Sequence, residues 1–586
     1  MSPPVSTHSD IPRGASYHDK PRQLVSALVR IVKRRHVLVG DRATRRYRTG
    51  FRFGGGNVRA VVCPGSLLEQ WRVLVECAAA RATVITQASN TGLTGGSTPD
   101  GDDYDRDIVI VSTRRIRKIH LVDSGRQVIC LGGTTLHQLE RALKPLNREP
   151  HSVIGSSCIG ASVIGGICNN SGGSLVRRGP AYTEMAVFAA IDSEGMPRLF
   201  NHLGVDLGDS PEKILTRLEA GAFSECDLEA SVGAGSDHNY ASHVREVDAD
   251  SPARYNADPT RLFEASGSAG KVMVFGVRLD TFPAAEGAKV FYIGTNRPAE
   301  LAEIRRHALS KFSELPIAGE YMHRHAFDVA EKYGKDMFLL IDNFGTDRLP
   351  TFFALKNRCD SLLEQLPFFP KNLTDRLLQS ISRWCPSHLP GRLLEYRRRY
   401  EHHLMLKISA EGVPEAREFL SRQFAESSGS FFECSEDEGR KAFLHRFVAA
   451  SAAVRYRDVH HKNVAGIVAL DIALKRNERE WFEQLPADIE RSIALKLYYG
   501  HFLCHVFHQD YVVHKGHDCV ELEHRMLDLL DKRGAEYPAE HNVGHLYDAK
   551  PQLRAFYKQL DPCNCFNPGI GKTSKLFAYR DDNQAA

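Results

Sequence analysis

Histidines and carboxylates crowd two short stretches late in this chain of 586 residues. The first runs Gly500-His501-Phe-Leu-Cys-His505-Val-Phe-His508-Gln-Asp510, the second Glu540-His541-Asn-Val-Gly544-His545. Imidazole and carboxylate at such spacing are the ligand types of a transition-metal site. Histidine is also the side chain best matched to proton transfer near neutral pH. The chain carries 26 histidines, so a set of satisfied structural histidines explains the 501–510 stretch equally well. The residues alone leave both readings open.

Glycine points to a second kind of chemistry. Pro150 to Gly173 holds Gly155, Gly160, Gly165, Gly166, Gly172 and Gly173 among small and β-branched residues. That density argues against a helix and against an ordinary core strand. It suits backbone that passes close to a ligand, with N–H groups and small hydroxyls left to bond phosphate. Gln87-Ala-Ser-Asn-Thr-Gly-Leu-Thr-Gly-Gly-Ser97 is a second segment of this kind. Two separated loops imply a large phosphate-bearing cofactor held along its length. Flexible surface loops would have charged and Pro-rich neighbours, whereas these have Val, Ile and Cys.

Two commoner nucleotide signatures are excluded. No Gly-x-Gly-x-x-Gly leads from a first strand into a helix. Asn567-Pro-Gly-Ile-Gly-Lys-Thr-Ser574 imitates a phosphate-binding loop, but the required first glycine is Phe566, and Pro568 falls inside.

The elements that must position these groups follow from periodicity. Leu24 to Val39 reads as helix, Ala60-Val-Val-Cys-Pro as a short strand, and Ser66 to Ala80 as a helix capped by Ser66 with Glu69 at the capping-box position. Strands are predicted at Thr83-Val-Ile-Thr, Ile108-Val-Ile-Val, Gln127-Val-Ile-Cys-Leu and Val272 to Leu279, with a helix over Thr134 to Leu143. A second unit opens at Lys289-Val-Phe-Tyr-Ile-Gly, followed by a helix from Ala299 to Phe312. From about His323 to Tyr400 the chain turns apolar and basic, with Trp384 and Arg383, Arg392, Arg397, Arg398 and Arg399. His402 to Ile408 resumes as strand, then helices are predicted over Val413 to Phe424 and Ser435 to Ala453.

Length bounds the answer at two or three domains. Hydrophobic and charged contents of 42% and 25% are those of a soluble globular protein. A net charge of +4 gives no case for nucleic acid. Thirteen scattered cysteines without scaffold spacing suggest reduced thiols. No run of 18 apolar residues exists, so contact with a membrane would be at its surface.

The paired loops resemble the FAD-binding domain of the vanillyl-alcohol oxidase/p-cresol methylhydroxylase superfamily, which embeds the pyrophosphate and ribityl groups among Gly/Ser loops. Along nearly the whole chain the sequence is similar to the family of bacterial quinone-dependent, respiratory D-lactate dehydrogenases. The similarity runs through Phe51, Cys63 to Trp71, both loops, Pro252 to Pro259, His501 to Tyr511 and Pro538 to Tyr547. Departures cluster in the first twenty residues, Glu219 to His243 and the last dozen.

The resemblance implies an α+β fold. Its parts would be an FAD-binding domain of the p-cresol methylhydroxylase type over 1–280, rejoined by 532–586, an α/β cap over 281–322 and 400–531, and a basic, largely helical membrane-binding insertion over 323–399. It implies oxidation of D-lactate to pyruvate on noncovalent FAD, with electrons passed to a membrane quinone. The protein would lie peripherally on an anionic surface, the cytoplasmic side of the inner membrane. The alternatives are a soluble dehydrogenase of another D-2-hydroxy acid with a protein electron acceptor, and a membrane-surface module with a degenerate flavin site.

Residue by residue, the resemblance assigns FAD contacts to Gln87, Ala88, Ser89, Asn90, Thr91, Gly95, Gly96, Gly155, Ser162, Gly172 and Val274. It assigns a divalent metal to His501, His508 and Glu540, and the base to His541. Asn542 stands where the relatives carry Gly, and His505 and His545 are additional. A bidentate arginine suits the substrate carboxylate. Arg446 is the first candidate by similarity and Arg455 the second.

Overall fold

A computed structural model describes residues 20–50, 52–151, 160–229, 233–344, 387–540 and 543–581. The predicted sites Gly155 and His541 lie outside the described residues, as do Arg383 and Trp384 of the insertion.

Three sheets organise the described chain. The first orders β1 (Val37–Leu38), β2 (Ala60–Val62), β4 (Ile108–Ser112) and β3 (Thr83–Gln87) as β1-β2-β4-β3. β4 runs parallel to both its neighbours, and its Ile-Val-Ile-Val-Ser sequence is wholly buried, as expected of an interior parallel strand. The helix Leu67–Ala79 covers this sheet. Ser66 caps it by accepting from Glu69 N, while the Glu69 carboxylate reaches past the cap to Gly65 N at 2.6 Å.

The second sheet comprises β5 (Ile119–Val122), β6 (Gln127–Leu131), β7 (Arg148–Pro150), β8 (Ala186–Ile191), β9 (Pro197–Asn201) and β10 (Met273–Pro283), ordered β5-β6-β10-β8-β9 with β7 also on β10. The C-terminal segment returns to these sheets. Phe566 bridges Val84, and Asn567 Nδ2 donates to Gly96 and Ala269 carbonyls.

The third sheet is antiparallel throughout. It contains β11 (Lys289–Thr295), β12 (Ala318–His323), β13 (His402–Ile408), β14 (Ser430–Glu433), β15 (Val464–Ala473), β16 (Ile493–His501) and β17 (Val506–His514), ordered β14-β11-β13-β12-β16-β17-β15. Side chains alternate across a strand, and both faces are covered. Tyr321, Leu470, Ile472, Tyr498, Phe507 and Tyr511 join one apolar core. Met322, Leu497, Tyr499 and Val512 join another, with Phe327 and Ala330 of the helix Arg324–Tyr333 and Ala442 of the helix Glu436–Phe447.

Four expectations need correction. The helix expected over Leu24 to Val39 ends at Val32, and Val37–Leu38 is strand β1 instead. The glycine-rich segment does form helix, over Val163–Cys168 with Gly165 and Gly166 inside it. It is short, and the Ser162 hydroxyl caps it by accepting from Gly165 N. The single helix expected over Ser435 to Ala453 is two, Glu436–Phe447 and Ala449–Val459. The basic cluster is also less free than its sequence suggests. On the helix Gly391–Arg399, Arg397 pairs with Asp328, Arg392 with Glu438 and Arg399 with Glu395. Among the described residues no helix is long and apolar enough to cross a membrane, and every described cysteine is free.

Candidate active site

β16 and β17 form a hairpin whose turn is Phe502–Cys504 followed by His505 in the left-handed region. The hairpin brings His501 and His508 together, with ring centroids 5.4 Å apart. Glu540 completes a trio whose ligand atoms all lie within 4.8 Å of one another. His501 Nε2 is 3.2 Å from Glu540 Oε2, and His508 Nε2 is 3.8 Å from the same oxygen. The three predicted metal ligands therefore converge on one point.

Neighbouring strands supply carboxylates to the other side of each ring. Glu320 on β12 lies directly across from His501, and Asp471 on β15 directly across from His508. His501 Nδ1 bonds Glu320 Oε1 at 2.5 Å. His508 Nδ1 stands 3.1 Å from Asp471 Oδ1. Asp471 also accepts from Glu540 N at 2.8 Å. Sequence reasoning missed both acids. The signal was a single carboxylate in an otherwise apolar strand, as in Val464–Ala473, whose burial requires a partner.

Glu540 ties this trio to the glycine-rich segment. Its Oε1 accepts from Gly173 N at 2.9 Å and from Arg254, itself buried, at 2.6 Å. A Cβ on Gly172 would stand 2.2 Å from that oxygen. The close approach that requires glycine at 172 is thus to Glu540. With Oε1 taken, Oε2 is the oxygen left to face the histidines.

The electrostatics favour positive charge at the trio's centre. Burial alone would lower His501, but Glu320 and then Glu540 outweigh it and raise it to about 10. Burial would raise the Glu540 carboxyl, yet His501 and Arg254 hold it well below the usual range. Two imidazole nitrogens, one carboxylate oxygen and a carboxylate behind each ring are the donor set of a divalent transition-metal site. The residues fit such an ion.

Arg446, on Glu436–Phe447, sits beside this cluster, 3.0 Å from Glu320 Oε2 and above the Tyr499 ring. Arg455 is elsewhere, paired with Asp336 on the helix Lys335–Phe344. The extra histidines are structural. His505 Nδ1 contacts the Lys475 carbonyl, and His545 contacts the carbonyls of Thr98 and Gly569.

The Gln87 to Ser97 loop is closed by its own side chains. Gln87 donates to the Tyr47 and Ser97 carbonyls, and Asn90 bonds the Thr49 carbonyl and the Ser97 hydroxyl. Asn90 and Gly95 both take positive φ. Ser162 spends its hydroxyl on the helix cap, and Val274 accepts from Gln70 through its backbone. What these residues leave toward a ligand is chiefly backbone. Among the described residues a Cβ at Gly92 or Gly160 would meet no neighbour within 4 Å. Of the remaining predicted contacts, Ala88, Ser89, Thr91 and Gly96 belong to this same loop, Gly96 held through its carbonyl by Asn567.

Comparison with known proteins agrees with this geometry. Residues 58–195 match a family described as FAD binding domain, and residues 290–579 one described as D-lactate dehydrogenase, membrane binding. The chain is 58% identical to the quinone-dependent D-lactate dehydrogenase of Haemophilus influenzae, over 94% of this chain and 98% of the relative. It is 58% identical to that of Escherichia coli, over 94% and 97%. Among solved structures, p-cresol methylhydroxylase with substrate bound superposes with a TM-score of 0.57 at 11% identity, covering 96% of this chain and 99% of that one. An alkyldihydroxyacetonephosphate synthase gives 0.55 at 11%, covering 97% and 87%. The chain belongs to the quinone-dependent D-lactate dehydrogenase family and has the p-cresol methylhydroxylase type of fold.

Proposed function

We propose that this protein oxidises D-lactate to pyruvate at FAD and passes the electrons to a membrane quinone. The full-length similarity to quinone-dependent D-lactate dehydrogenases carries this reading. FAD, when bound, would supply the hydride acceptor for C2 of lactate. A divalent cation held by His501, His508 and Glu540 would lower the pKa of the substrate hydroxyl.

The chain's own residues do the rest. Arg446 holds the lactate carboxylate beside the histidine pair, where a guanidinium gives bidentate geometry. His541, next in sequence to Glu540, takes the hydroxyl proton as C2 loses hydride. Glu540 fixes the trio against Gly173 and Arg254, so the substrate end and the glycine-rich segment keep one spacing. FAD is held noncovalently by the loops at Gln87–Gly96 and Gly155–Gly172 and by Val274. The domains follow the division at 280, 322, 399 and 531. The protein attaches peripherally to the cytoplasmic face of the inner membrane through the 323–399 insertion and an anionic lipid surface.

Anaerobic stopped-flow reduction of the bound flavin by each lactate enantiomer, followed by reoxidation with a short-chain quinone, tests the reading. Bleaching by D-lactate and recovery with quinone are expected. Flavin unmoved by D-lactate, or recovered only by a protein acceptor, would overturn it.

A further inference from the structure

We propose that Glu320 and Asp471 are positioning residues that fix the tautomers of His501 and His508, turning both Nε2 lone pairs toward Glu540 Oε2 and a divalent cation there. This rests on the cation-centre reading above.

A neutral imidazole has one N–H and one lone pair. A ring that ligates through Nε2 must keep its proton on Nδ1, and that proton needs an acceptor. The two Nδ1 atoms have carboxylate oxygens at 2.5 and 3.1 Å. Strand register supplies them, since directly opposed residues in an antiparallel sheet carry neighbouring side chains. Glu320 opposes His501, and Asp471 opposes His508.

Neither acid can easily turn away. The second oxygen of Glu320 is 3.0 Å from Arg446 Nε. The second oxygen of Asp471 accepts from Glu540 N at 2.8 Å. Asp471 thus orients one imidazole and the backbone of the carboxylate ligand together. Both acids are buried, which limits competition from water for the Nδ1 protons. The ligand class is a divalent ion that favours imidazole with one carboxylate oxygen.

The test uses the FAD-loaded full chain and Zn²⁺, with the dissociation constant read by competition against a chromophoric chelator. Glu320→Gln and Asp471→Asn keep the size of each side chain but remove the charge, and their amides can donate to Nδ1 and favour the wrong tautomer. Each should weaken Zn²⁺ by about 10- to 100-fold, the usual loss when such a partner is removed. Flavin content should stay unchanged, and the loss of Zn²⁺ affinity should persist well below each variant's own melting temperature, where both variants are fully folded, which a merely structural role would not allow. Where one variant fails to fold, the other carries the comparison alone. If the parent protein takes up no stoichiometric Zn²⁺, the cation centre falls and the positioning role with it. If the parent binds and both variants stay within twofold of it, only the positioning role is overturned.

Discussion

Two groups of histidines lie on or against the large antiparallel sheet, and their surroundings could hardly differ more. His501 and His508 each face a carboxylate across the sheet and share Glu540 between them. His402 and His403 on β13, and His445 on the helix Glu436–Phe447, sit among aromatic rings. Burial pushes these three down to about 4, 3 and 3, so they stay neutral. Carboxylates raise His501, whereas burial keeps the second group neutral. Carboxylate partners, rather than the presence or spacing of histidine, separate these two groups.

The sharpest way to widen that contrast is at His541. His541→Ala should lower the rate of flavin reduction by D-lactate by about 10²- to 10⁴-fold, the range of general-base catalysis, while FAD content holds. His403→Leu should leave the rate near that of the parent. Stopped-flow traces with equal rates for His541→Ala and the parent would exclude His541 as the base.

Gly172→Ala probes the charged group from its backbone side. The new Cβ would press on the Glu540 carboxylate and approach Arg254. Zn²⁺ affinity and flavin reduction should fall together, by roughly 10- to 100-fold, with FAD retained. Loss of FAD with Zn²⁺ binding intact would move the essential contact of Gly172 to the cofactor.

The neutral group should appear in acid. Its folded pKa values lie below the unfolded value near 6.5, so between those limits the unfolded chain binds more protons. Stability is full above about pH 6.5 and falls as pH drops toward 4, with a slope near 1.4 kcal/mol per pH unit for each histidine. Urea midpoints measured at pH 7 and pH 5 check this, and His403→Leu should shrink the difference between them. An unchanged difference would mean His403 is not a neutral core group.

The smallest effect extends the comparison to arginine. Arg397 is paired with Asp328, whereas its neighbour Arg398 is exposed. Arg397→Gln should cost about 1 kcal/mol of stability or less and hardly change binding to anionic vesicles. Arg398→Gln should weaken that binding by about 1 kcal/mol. The reverse ranking would make Arg397 the lipid contact.

The sequence made the convergence of His501, His508 and Glu540 legible because they lie in segments similar to known relatives. It hid Glu320 and Asp471 because their role depends on which strand pairs with which, and in what register. β12, β16 and β17 carry no clean strand signal, since their histidines and tyrosines blur the alternation. The first sheet was easier, because runs such as Ile108-Val-Ile-Val are apolar on both faces. Glycine density misled at Val163–Cys168, where a serine cap and short length outweigh helix propensity.

The anchoring of Glu540 Oε1 by Gly173 and Arg254 has a consequence for recombining parts. A chimera that grafted the sheet of β11 to β17 onto another flavin domain would inherit two imidazoles and their backing acids. Glu540, carried along without Gly173 and Arg254, would then arrive with Oε1 unclaimed, able to swing out of line or to chelate through both oxygens. Exchange of modules in this architecture should therefore succeed only when the glycine-rich segment, Arg254 and the stretch around Glu540 travel as one cassette.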